Sequence, residues 1–220
     1  MSHWLSKTAG TIVGGAIVAG ALGLWGASQA AAVPPGVSEA GTSDETRSPE
    51  LTQNRRRLAT QRTGMMTLLG WSAANMGVGA YGWATTDGTA KYFHQMNVFW
   101  NGVNAVIGGF GYASAVREDP RGLSEIETVE KTRSIQQILL FNAGLDLAYI
   151  AGGAWLRQRG DRRNDDQLIG YGESVMLQGG FLFVFDAILW GVHQKAIGDY
   201  KAKIGPGPGR GPGVTLSVDF

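Results

Sequence analysis

Cysteine is absent from the 220 residues. That excludes disulfides, iron–sulfur ligation and thiol catalysis, and it leaves the redox compartment open. A basic excess is absent as well. The net charge is +1, so nothing in the electrostatics points to nucleic acid as a partner. The glycine-rich stretches have no strand before them and so form no dinucleotide fingerprint. No nucleophile–base pair and no set of metal ligands stands out, so an enzyme is the weakest of the readings weighed below, and no cofactor or metal is implied.

What is present is glycine, at 34 residues, and tryptophan, at 7. A soluble helical bundle of this length would favour Ala and Leu, because Gly weakens helices in water. In membrane helices, small residues let neighbours approach closely, and Trp gathers near the ends. Mean hydropathy is near zero, an average over apolar segments and polar connectors.

The chain divides into four parts. Residues 1–32, with Lys7 ahead of an apolar core at 11–25 and small residues around Ser28–Ala32, read as a secretory signal peptide. The same stretch is long enough for an uncleaved anchor. Residues 33–60, VPPGVSEAGTSDETRSPELTQNRRRLAT, read as a disordered extracytoplasmic linker. Residues 61–197 hold four apolar segments, at about 64–85, 91–115, 134–157 and 168–195, each near the ~20 residues a spanning helix needs. The connector 117–133 carries Leu123, Ile126 and Val129 at spacing three, the mark of a short amphipathic surface helix. Residues 198–220 open on GPGPGRGPG, which cannot be helical, and end with Val214, Leu216, Val218 and Phe220 alternating with polar residues. That is a strand pattern with no other strand to build a barrel. The expected fold is therefore all-α, a four-transmembrane-helix antiparallel bundle with its first two and last two helices paired by short connectors.

Setting Asn75 on Asp146 and Asn101-Gly102 on Gln178-Gly179 raises a duplication of the two helix pairs, and with it pseudo-twofold symmetry. The charges disagree about orientation. An exported N-terminus leaves five Lys/Arg inside, against four in the middle loop and more in the linker and tail, which conflicts with the positive-inside rule unless only short loops are counted.

The most informative stretch is YFHQMNVFWNGVN, residues 92–104. On a helix, His94, Asn97, Asn101 and Asn104 share one face, continued by Gly108. Weaker stripes recur on the other segments: Ser72, Asn75, Gly79 and Gly82; Asn142, Asp146 and Tyr149; Asp186 and His193, with Gln178 to one side. Asn75, Asn101, Asn104, Asn142, Asp146, Gln178 and Asp186 all fall near segment middles, where no Arg or Lys occurs. They form a mid-bundle polar layer. An isolated carboxylate there costs at least ~2.5 kcal/mol, so Asp146 and Asp186 must be protonated, share a proton, accept amide hydrogens, face water or bind a cation. His94 and His193 fall at opposite ends and cannot ligate one metal together.

The runs YFHQMNVFWNGVN, FNAGLDLAYIAGGAWL and ESVMLQGGFLFVFDAILWGVH resemble a family of uncharacterised bacterial membrane proteins with a signal peptide and four hydrophobic helices, over about 60–195. The resemblance implies a membrane of the bacterial envelope, the inner one ahead of the outer, with the lipid bilayer as the first partner. It carries no activity and no functional residues. Two hypotheses stay open. In one, the layer holds a small polar ligand, a proton or a cation. In the other, the chain is a structural subunit that oligomerises through Gly-rich faces such as Gly77, Gly79 and Gly82, and the amides set helix register.

Overall fold

A computed structural model describes residues 48–204. The expected signal peptide (1–32), most of the expected linker and the strand-patterned tail lie outside the described residues. Four helices follow one another: α1 (Pro49–Thr85), α2 (Gly88–Arg117), α3 (Glu125–Asp161) and α4 (Asp166–Ile204). The α1–α2 and α3–α4 turns share one end of the bundle, called here the turn end. The loop 118–124 and the outer ends of α1 and α4 share the other, the loop end.

Local chemistry sets the helix limits. Ser48 accepts the Leu51 amide at 3.1 Å and Pro49 occupies the first turn of α1. Ser124 and Glu127 form a reciprocal capping box on α3. The Asp165 carboxylate accepts the amides of Gln167 and Leu168 at 3.0 and 3.1 Å, starting α4. Between α3 and α4, Asn164 takes the left-handed conformation at φ 50°, which Asn tolerates better than most residues.

These limits correct the sequence reading at three places. Pro49–Thr60 is helical and not linker. The amphipathic stretch around Ile126 is no separate surface helix but the first turns of α3. The connector between the last two segments shrinks to 162–165. Each longer helix outruns the hydrocarbon core: α1 has 37 residues, about 55 Å at ~1.5 Å per residue, against ~30 Å of bilayer interior.

The two hairpins pack tightly within themselves. They meet mainly where α4 lies along α2, less along α1, while α3 barely touches α1. α2 and α4 therefore run parallel, side by side, at the centre. The described residues are sorted inside-out. Buried polar or charged side chains number 16 against 11 buried hydrophobic ones, while Val78, Phe99, Phe110, Leu140, Phe141, Trp155 and Ile188 are exposed. Among the described residues two helices, α3 and α4, are long and apolar enough to cross a membrane by length and composition. Four were expected. The glycines and amides of α1 and α2 dilute their hydropathy.

The loop end is tied by ions. Glu118 takes Arg57 at 2.6 Å and Lys131 at 2.7 Å, and Asn54 donates to Thr128 at 3.0 Å. Arg62 donates through two nitrogens to the Ala115 carbonyl, at 2.9 and 2.8 Å, near the end of α2. Burial pushes the Glu118 carboxyl up, but the hydrogen bonds and charges of Arg57 and Lys131 outweigh it and hold it below its ordinary 4.5. A depressed carboxyl stabilises the fold fully above its unfolded value and loses that contribution as pH falls through its folded one. Melting curves should therefore decline below about pH 4.5, and Glu118→Gln should flatten part of that decline.

Candidate functional site

The polar layer begins with Asn97 on α2. Its Oδ1 accepts from Ser174 Oγ and from Gln178 Nε2 of α4, both at 2.8 Å. Gln178 Nε2 also lies 3.5 Å from Asn75 Oδ1 of α1, and Gln178 Oε1 accepts from Trp71 Nε1 of α1 at 2.9 Å. One amide thus joins three helices. Trp71 stacks on Phe181 with ring centroids 3.9 Å apart and planes within 2°, so the indole N–H is held in place by packing. Asn75 and Asn101 donate to the carbonyls of Trp71 and Asn97, each at 2.9 Å. This back-bonding uses one amide hydrogen of each within one turn of its own helix.

A second cluster is acidic. Asp146 on α3 and Asp186 on α4 are 3% and 6% exposed, and their carboxyls are close enough to share a hydrogen bond. That bond exists only when one of them carries a proton. With both ionised neither can donate, and Asp146 Oδ2 is left without a partner among the described residues. The backbone explains the meeting. A Cβ added at Gly179 would lie 3.0 Å from the Asp146 carbonyl, so the missing side chain lets α3 close on α4 there. Helical side chains lean toward their own N-terminus. In antiparallel helices Asp146 therefore leans toward the loop end and Asp186 toward the turn end, and they converge. Among the described residues neither carboxyl has an ion-pair partner.

The other expected site residues fall as follows. Asn101 and Asn104 are buried on the same face of α2 as Asn97, and among the described residues Asn101 Oδ1 and Asn104 Nδ2 have no partner. Asn142 sits one turn before Asp146, half-buried, and has no hydrogen bond to the layer among the described residues. His94 shares the stripe but not the depth. Its ring rests on Gly82 near the turn end, where any side chain on α1 would strike it. His193 lies by Arg57 at the loop end. Of the three glycines expected on an oligomerising face, Gly79 and Gly82 are buried against α2, and Gly77 alone meets open space.

Trp71 and Ser174 were not anticipated. Each sits four residues before an expected member, Asn75 and Gln178, so helical spacing could have found both. The buried polar run at the loop end was also missed: Gln53, Asn54, Arg57, Gln61, Thr128, Thr132 and Gln136.

The family model described as a family of unknown function (DUF6992) matches residues 67–187. That range holds all the layer residues and both carboxyls. No curated protein and no solved structure gives a significant match.

Proposed function

The chain belongs to the family of unknown function DUF6992, and for it we propose a membrane-embedded bundle that binds and passes a cation, the proton first, at the Asp146–Asp186 pair. The observation that carries this reading is the pair itself: two carboxyls in contact, buried, with no basic partner among the described residues. Two facing carboxylates in an apolar interior cannot both stay ionised, so one proton bridging them is the stable state.

The exposed apolar side chains around mid-height and the inward polar layer support the membrane setting. A helix satisfies its own backbone in lipid, and α1 and α2 turn their glycine and amide faces inward. The membrane would be one of the bacterial envelope, the inner one as first candidate.

The test is proton flux. The full chain is reconstituted in liposomes containing a pH dye, and a potassium diffusion potential is imposed. Wild type is expected to conduct protons, and Asp146→Asn and Asp186→Asn each to cut the rate at least tenfold. The lipid-facing Phe99→Ala should leave it unchanged. Equal flux in wild type and the double Asn variant would remove the reading.

A second reading has its own support. The set formed by Trp71, Asn75, Asn97, Ser174 and Gln178 is closed by its own hydrogen bonds and needs no ligand to be satisfied. In that reading the layer fixes helix register in a structural subunit, and the Asp→Asn changes are silent.

A further inference from the structure

The carboxyl pair is reached differently from the two ends of the bundle. Toward the turn end stand the hydrogen-bonded amides of Asn97, Gln178 and Asn75, and the imidazole of His94 is turned aside onto Gly82. Toward the loop end, α4 carries His193 on the face that holds Asp186, seven residues further on. That is two helical turns, or about 10 Å. His193 is 2% exposed, and an imidazole can accept a proton on one ring nitrogen while releasing one from the other. Around it the loop-end interior is polar, with Gln61, Thr132 and Gln136 buried and Gln136 donating to Gln194 at 2.7 Å.

Between His193 and Asp186 the wall changes character. Leu189 stands three residues after Asp186 and four before His193, and its side chain lies over Gly64 of α1, 3.0 Å from where a Cβ would be. Met65, Leu68 and Leu139 are buried apolar side chains on the neighbouring helices. We infer that protons reach the Asp146–Asp186 pair from the loop end through His193, across a gap that Leu189 keeps dry at rest.

This rests on the proposed role of the carboxyl pair and adds the side of access, the relay and the plug. The charged groups facing His193 are Arg57 of α1, tied to Glu118 of the loop and through it to Lys131 of α3, and Asp186 on its own helix. The Arg57 guanidinium beside the path opposes metal cations, whereas a proton needs only the imidazole and an intervening water. The pair has no third carboxylate or histidine around it among the described residues, and two carboxyls alone complete neither the oxygen cage of a calcium ion nor the shell of a magnesium ion. These features favour the proton over a divalent metal ion as the cargo.

The experiment follows the protonated-carboxyl infrared band of the full chain in liposomes after a rapid pH jump. His193→Ala is expected to slow protonation of the pair at least tenfold while reaching the same end point, and added imidazole to restore the rate. Leu189→Ala, which keeps His193 and makes room for water, is expected to speed it several-fold. It also stands as an independent test should His193→Ala fail to fold. Unchanged kinetics in the variants would overturn the route and leave the pair as the site. The absence of any carboxyl band in wild type would overturn the pair, and the route with it.

Discussion

Gly172→Val is expected to break the α3–α4 hairpin, with a loss of stability larger than that of any other single glycine replacement tested beside it. A Cβ at Gly172 would lie 2.5 Å from the Gly153 carbonyl and 2.6 Å from the Arg157 amide. Both are backbone atoms, so no rotamer change can relieve the clash. Overpacking a tight site costs roughly 1–3 kcal/mol and sometimes more, and separating two helices along their closest approach belongs at the upper end. Gly153 is the reciprocal point, meeting the Gly172 carbonyl at 2.7 Å. Gly180→Ala is the control. Among the described residues nothing lies within 4 Å of its Cβ position, and losing a helical Gly should stabilise the helix by about 0.5–1 kcal/mol. Unfolding curves in mild detergent would rank the three proteins. A Gly172→Val variant as stable as wild type would show that the helices do not approach as described.

Gln178→Leu should cost nearly as much, for a different reason. The Leu side chain has nearly the right volume, so packing is not the issue. What is lost is the amide that joins α4 to α1 and α2. Trp71 Nε1 loses its acceptor, and Asn97 Oδ1 keeps only Ser174. An orphaned buried polar group costs about 1–3 kcal/mol, while measured side-chain hydrogen bonds between membrane helices average nearer ~0.6 kcal/mol. The fully buried site, 0% exposed, favours the larger figure. Gln178→Glu separates the two halves of the effect, because it keeps the acceptor for Trp71 and removes the donor to Asn97. Tryptophan emission supplies a second readout, since Trp71 should redden as its stack on Phe181 loosens.

The face of the site was legible in the sequence; its depth and its pairing were not. Spacing of three and four places His94, Asn97, Asn101 and Asn104 on one stripe, and three of those four are buried in the layer. His94 departs because a stripe fixes an angle about the helix axis and says nothing of what the facing helix offers at each level. At its level Gly82 offers a recess. Asp146 and Asp186 were recognisable as unpaired charges in apolar segments. Their meeting depends on the offset between α3 and α4, which the contacts of Gly153, Gly172 and Gly179 set and no single-helix pattern contains. The first turns of α1 look like linker in the sequence because Gln53, Asn54 and Arg57 are polar and buried. A helix that turns polar groups inward shows no apolar stripe and so gives no periodic signal. Trp71 carries no signal of its own in the sequence, because what its N–H meets is set by Gln178 on another helix.

The most direct test of the central claim is a static infrared spectrum of the lipid-reconstituted chain near neutral pH, wild type against the Asp146→Asn/Asp186→Asn double variant. A carboxylic-acid carbonyl band in wild type that vanishes in the double variant is the predicted result. A wild-type spectrum with ionised carboxylates only, identical in that region to the double variant, would contradict it.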